Sequence, residues 1–301
     1  MKFTLSQLIG DIGQEKFFDK YWTKKELYSE SSFEEHDFYG LRDFEQTLLL
    51  NQAHLSFPTV RLIKSGKVLP ETRFTEVVNR QNLLGRKISL NKVKELCENG
   101  ATLIISGLNN YSRPILDLCV QLSAEFQETV QINGYLTQKH SQGFQAHYDH
   151  HEIFIIQIAG EKEWNVYGTP ESAPLPVSQY YDQGKPDKSQ CRIYNLKPGD
   201  VFYLPRGLWH EARSVNSSSF HLTVDIKCTL RIDFLKWLID NVAVNDKELR
   251  LNLFKNPYDT KIETMNILNN FVEQASINPD WINEFHKARL SNNVIDLPFK
   301  I

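Results

Sequence analysis

From Val130 onward the chain is cut into short β-branched and aromatic runs separated by turn residues, and this pattern constrains the fold more than any other feature. Residues 130–136, 152–158, 163–167, 192–196, 200–204 and 220–226 read as strands. Gly160, Gly168-Thr169-Pro170, Pro198-Gly199 and Pro205-Arg206-Gly207 punctuate them. Many short strands with few helices between them predict a β-sandwich or barrel.

Helical periodicity flanks this region. Leu5, Leu8, Ile9 and Ile12 fall at helical spacing, and Phe17, Phe18, Tyr21 and Trp22 continue it. A polar, acidic stretch follows from Ser29 to Asp37. Residues 41–56 and 89–98 read as helices, the second opening at Ser89 as its N-cap. Residues 101–106 read as a buried strand closed by Gly107, and Pro114 suits the first turn of the next helix. After Arg231 the helical period returns through Phe234, Leu235, Trp237 and Leu238, then Leu249 to Leu253, then Ile262 to Phe271. The expected division is a core domain over 1–230, its helical N-terminal part packed on the β-core, and a helical region over 231–301.

Composition narrows the partners. A net charge of -3 over 301 residues does not favour sequence-independent nucleic-acid binding. Cys97, Cys119, Cys191 and Cys228 lie far apart with no CxxC pair, so they read as reduced, mostly buried thiols rather than a disulfide framework or zinc site. No stretch approaches the roughly 20 apolar residues of a membrane span, and the charged residues Asp11, Glu15 and Lys16 interrupt the start. The expected location is cytoplasmic.

The chemistry concentrates in His147-Tyr148-Asp149-His150-His151. On a strand, residues two apart share a face, so His147 and Asp149 would present an imidazole and a carboxylate together. Two histidines and one carboxylate with open positions suit a non-haem Fe(II) oxygenase. A lone His-x-Asp is more often surface polarity, so the second histidine decides. Gly199-Asp-Val-Phe-Tyr-Leu-Pro205-Arg-Gly207-Leu-Trp-His210 resembles the second cupin motif. The first cupin motif is met in part. Gly143 lies closer to His147 than the consensus expects, Asp149 stands where metal cupins carry their second histidine, and Ile153 and Phe154 occupy the place of their glutamate. The pattern favours a facial triad of His147, Asp149 and His210.

The run from Gln142 through His147, Asp149, Gln157, Gly160 and Lys162 to Trp164 resembles the JmjC-type ribosomal oxygenases of the cupin-4 group. So does the opening Phe17-Phe-Asp-Lys-Tyr-Trp22 before Lys24-Lys25. The resemblance covers roughly residues 1–230. It implies a mainly β fold, a double-stranded β-helix (cupin or jelly-roll) core with flanking helices, Fe(II), 2-oxoglutarate and O2 as co-substrates, and hydroxylation of a protein or peptide side chain. It implies that Lys162 anchors the distal carboxylate of 2-oxoglutarate, where the plain alternative is a solvated turn lysine. It also implies that Tyr135 hydrogen-bonds that carboxylate, Asn133 lines the pocket, and Thr223 is a further contact. Asp225 stands where the family tends to have a small hydroxyl residue, and an acid there would repel the co-substrate. His150 and His151 read as outer hydrogen-bonding or substrate contacts, His36, His54, His140 and His286 as surface residues, and Trp209 as packing.

The family's helical dimerisation region fits after the core, but its winged-helix domain does not, so a homodimer through the C-terminal helices is expected. The alternatives are a tailoring hydroxylase of a small peptide or metabolite, a lysine demethylase, and a non-oxygenase metal-binding cupin.

Overall fold

The computed structural model describes residues 4–30, 39–80, 83–171, 174, 185–253 and 264–293. Its centre is strand β8 (Glu152–Ala159). The uninterrupted run Ile153-Phe154-Ile155-Ile156 predicts a strand covered on both faces, and all four side chains are buried. One face, through Ile153 and Ile155, meets Trp164, Val166, Leu196, Phe202, Leu204 and Leu208 in a single core. The other face, through Phe154, packs on Phe17 of α2 (Gln14–Lys20) and Phe126 of α5 (Arg113–Phe126).

Two sheets carry this core. The larger has eight strands in the order β1-β11-β8-β13-β7-β6-β2-β3. These are β1 (Leu27–Ser29), β11 (Val201–Leu204), β13 (Ser219–Lys227), β7 (Thr129–Thr137), β6 (Thr102–Ile105), β2 (Val60–Lys64) and β3 (Lys67–Val68), together with β8. The smaller has the order β10-β9-β12, formed by β10 (Cys191–Leu196), β9 (Lys162–Tyr167) and β12 (Trp209–Ser214). This is a mainly β protein with flanking helices and a double-stranded β-helix core.

Sequence periodicity located most core strands, but four results differ. The first helix is broken into α1 (Leu5–Ile9), a 3-10 turn and α2, because Gly10 and Gly13 both adopt positive φ. The helix expected over 41–56 is α3 (Leu41–Asn51) and stops before the cis Phe57–Pro58 bond. Between it and α4 (Leu90–Glu98) lie β2, β3 and the hairpin β4 (Thr75–Arg80) to β5 (Leu83–Ile88), none of which the sequence reading placed. Residues 249–253 form no helix beyond a 3-10 turn at Glu248–Arg250. Much of the acidic stretch 29–37, with His36, and the residue Ile262 lie outside the described residues.

The chain divides into two compact units, 1–227 and 228–301. The second contains α6 (Arg231–Asn245), α7 (Thr264–Ser276) and α8 (Trp281–Asn293), with Trp237 of α6 against Trp281 and Phe285 of α8. Of the four thiols, Cys97 and Cys119 are buried, whereas Cys191 is exposed and Cys228 half-buried, so the expectation of mostly buried cysteines holds for two. Among the described residues no helix is long and apolar enough to cross a membrane.

Candidate metal centre

His147, Asp149 and His210 converge, with one potential ligand atom from each lying within 4.8 Å of the others. His210 sits on β12, whose alternation turns it into the barrel. His147 and Asp149 are not on a regular strand. They lie in the loop before β8, which corrects the period-two argument for their common face. Two backbone devices align them instead. His147 and His210 exchange reciprocal N–H to carbonyl bonds of 3.0 and 2.8 Å, and the Gly207 N–H donates to the Asp149 carbonyl at 2.9 Å.

The donor set fits a divalent metal. His147 Nδ1 lies 2.8 Å from the Gln145 carbonyl, and His210 Nδ1 lies 2.9 Å from the Leu208 carbonyl. A carbonyl only accepts, so each Nδ1 carries the hydrogen and each Nε2 keeps its lone pair for a ligand. Those Nε2 atoms stand 3.9 and 3.6 Å from the Asp149 carboxylate oxygens. Burial pushes the His210 imidazole down to about 4, with the neighbouring His147 adding to the effect, so His210 is neutral and able to coordinate at pH 7. Burial alone would raise the Asp149 carboxyl, but the electrostatic influence of the surrounding imidazoles, His147 first and then His210, His151 and His150, holds it below its ordinary value.

The triad opens into a cavity of about 430 Å³. Lys162 lines it, buried on β9. Its Nζ lies 3.1 Å from Thr137 Oγ1, 3.4 Å from His221 Nδ1 and 6.0 Å from the centre of the Trp164 ring. Burial lowers the ammonium to about 7, and no carboxylate among the described residues offsets that. A buried cation without an anion is costly. A ligand carboxylate would relieve the cost, so the site fits a dicarboxylate co-substrate. Gly160 makes the turn that delivers Lys162. Its φ is +63°, and an added Cβ would lie 1.8 Å from the Ser218 carbonyl oxygen.

The remaining sequence candidates share this cavity. Tyr135, Asn133, Thr223 and Asp225 all line it. They come from β7 and β13, which pair Tyr135 with His221, Thr223 with Asn133 and Asp225 with Gln131. Tyr135 stacks on His221 with ring centres 4.8 Å apart. Asn133 accepts from the Gly107 N–H at 2.8 Å, which turns its amide NH2 toward Asp225. His151 Nε2 lies 3.5 Å from the same carboxylate. Asp225 therefore does belong to the cavity wall, held by Asn133 and His151 several strand positions from the Lys162 row. His54, His140 and His286 are exposed, and Trp209 is buried.

Sequence reasoning gave no role to Thr137, His221, Trp164, Arg61 or Glu211. Trp164 had a usable signal, because it alternates with Lys162 on β9. Arg61 had none. It reaches the cavity from β2, across β6, a pairing no local pattern announces.

Comparison with known proteins follows the same lines. The profile of the JmjC domain matches residues 112–232. The chain is 30% identical over 226 residues to a bifunctional lysine-specific demethylase and histidyl-hydroxylase NO66 of Drosophila persimilis, covering 74% of this chain and 31% of that protein. It is 28% identical over 264 residues to ribosomal oxygenase 2 of Mus musculus, covering 81% of this chain and 52% of that protein. It thus spans between about a third and about half of these relatives. Among solved structures it resembles the Escherichia coli ribosomal oxygenase YcfD, with TM-score 0.58, 16% identity, and coverage of 95% of this chain and 72% of that one. YcfD in complex with cobalt and 2-oxoglutarate gives a TM-score of 0.57 at 16% identity, covering 90% and 70%. At such identity the likeness concerns the fold alone.

Proposed function

This chain carries a JmjC domain, and from that premise we propose that it is an Fe(II)- and 2-oxoglutarate-dependent oxygenase that hydroxylates a side chain of a protein or peptide. One observation carries the reading: a two-histidine, one-carboxylate cluster and a buried lysine, with no carboxylate against it among the described residues, open into the same cavity.

The bound iron would supply activation of O2, coupled to oxidative decarboxylation of 2-oxoglutarate. The protein's own groups do the rest. His147, Asp149 and His210 would hold the metal at the wall of the cavity. Their Nδ1 anchors fix both imidazoles before any metal arrives. Lys162 and Tyr135 take the distal carboxylate, and Thr137 and His221 hold the Lys162 ammonium toward it. Asn133 and Thr223 line the same cavity. Trp164 and Ile153 shield the site from bulk water.

A protein substrate is supported by the relatives, whose names specify histidyl hydroxylation, lysine demethylation and ribosomal oxygenation. A homodimer through the C-terminal unit fits Leu235 and Ile239 of α6 and Val272 of α7, apolar side chains left exposed. A cytoplasmic setting fits four free thiols. The deciding experiment incubates the protein with Fe(II), 2-oxoglutarate and candidate peptides, reading succinate and a mass gain of one oxygen. Release of formaldehyde from a methylated peptide, with a net loss of one CH2 from the peptide, would instead redirect the reading to demethylation. An absence of 2-oxoglutarate binding in metal-loaded protein would reject the oxygenase reading in favour of a metal-binding cupin.

A further inference from the structure

The loop that delivers His147 is longer than the strand it lies against. Residues 141–147 run antiparallel to β12, pairing Gln142 with Arg213 and His147 with His210. The Ser214 N–H closes the far end by donating to the Ser141 carbonyl at 3.0 Å. Between the two bridges the loop passes through 143–146, whereas β12 has only Glu211 and Ala212. The loop must bulge, and a bulge leaves ladder groups unpaired.

The side chain of Gln142 fills that gap. Its amide Nε2 donates to the Phe144 carbonyl inside the bulge at 3.1 Å and to Glu211 Oε2 at 3.0 Å. Glu211 follows His210 and points to the opposite face of β12. Its other oxygen accepts from the hydroxyl of Tyr167 on β9 and lies 3.7 Å from Lys188 Nζ. Glu211 therefore ties Gln142, at the edge of the bulge, to β12 and to Tyr167 of β9, and it is not among the residues that line the cavity.

We propose that Glu211 is a positioning residue for the metal centre, acting through Gln142 to hold the bulge that aims His147 at Asp149 and His210. The inference rests on the metal-site reading above. Phe144, fixed by its carbonyl, packs on the His147 ring with centres 5.3 Å apart, which transmits the position. Without the clamp, His147 keeps its backbone bridge to His210 but loses the constraint on the loop before it.

Anaerobic Co(II) titration of the full metal-free chain tests this, reading the Kd and the ligand-field absorption of the bound ion. Gln142→Ala and Glu211→Ala should each weaken Co(II) by about ten- to a hundredfold, the range for groups that orient metal ligands. Both should alter the absorption bands. The double variant should be no weaker than either single one, since the two residues form one link. Glu211→Gln keeps an acceptor for Gln142 and should restore near wild-type binding. Wild-type affinity and spectrum in Gln142→Ala would overturn the proposal, as would additive losses or a Glu211→Gln variant as weak as Glu211→Ala. Should Glu211→Ala fail to fold, Gln142→Ala and Glu211→Gln still decide the matter. Wild-type Co(II) binding that survives His210→Ala would instead sink the metal-site reading, a separate result.

Discussion

Raising the pH through about 7 should release 2-oxoglutarate from this protein. Burial lowers the Lys162 ammonium to about 7, and its contacts, Thr137 Oγ1 and His221 Nδ1, bring no negative charge. Burial, with the Lys162 charge behind it, also keeps His221 neutral. A distal carboxylate pairs with the charged lysine only. Above pH 7 the lysine must be protonated at the moment of binding, so apparent affinity should fall about tenfold per pH unit until the lysine of the complex itself titrates. Binding at pH 8 should take up close to one proton. The sign for stability is opposite. The unfolded lysine titrates near 10.4, so between about 7 and 10.4 the unfolded chain binds the extra proton. The free protein should then gain stability with rising pH, by up to ~1.4 kcal/mol per unit from this group. Calorimetry in buffers of different ionisation enthalpy measures the proton uptake, with metal saturating so that the triad's own titration does not contribute. Lys162→Arg keeps its charge and should flatten the profile. A pH-independent affinity between 6 and 9, with no uptake, would refute the assignment of Lys162 as the anchor.

Three stability predictions accompany this. Gly160→Ala forces a side chain into φ +63° and against the Ser218 carbonyl, and should cost on the order of 1–3 kcal/mol in urea unfolding. It should also weaken 2-oxoglutarate binding, because the same turn places Lys162. Phe154→Ala empties a fully buried site between Phe17, Phe126 and Tyr203, with an expected loss of about 3–5 kcal/mol. Tyr203→Phe removes the hydroxyl that donates to the fully buried Glu152 and accepts from the Thr23 N–H, and denaturant midpoints should show a loss of about 1–3 kcal/mol.

The legible parts of this chain are those whose physics is local. β8 announces itself because both its faces are buried by a near-continuous apolar run, and β13 because Phe220, Leu222, Val224 and Ile226 alternate strictly with His221, Thr223 and Asp225. His210 was readable because Gly199, Pro205 and Gly207 mark the ends of the strands around it. Lys162 was readable through the turn at Gly160. The strands β2 to β5 were not, since short pieces such as Val60-Arg-Leu-Ile-Lys64, where adjacent Leu62 and Ile63 are both buried, show no clean alternation and resemble loop or helix equally well. The breaks at Gly10 and Gly13 were hidden because apolar spacing continued across them.

The metal site shows where local reading stops. His147 and Asp149 were assigned a common face by strand alternation, yet their segment is a bulged loop. The three side chains do converge, but not through the strand alternation that the segment lacks. What brings them together is long-range: the reciprocal backbone bonds to His210, the Gly207 N–H on Asp149, and the clamp from Gln142 to Glu211. A loop constrained by a partner strand can place ligands as firmly as a strand does, and with freer spacing. That freedom explains why Gly143 sits closer to His147 than a cupin consensus allows while the donors still converge within 4.8 Å. Spacing rules for such motifs therefore describe the strands that frame a site better than the loops that carry its ligands.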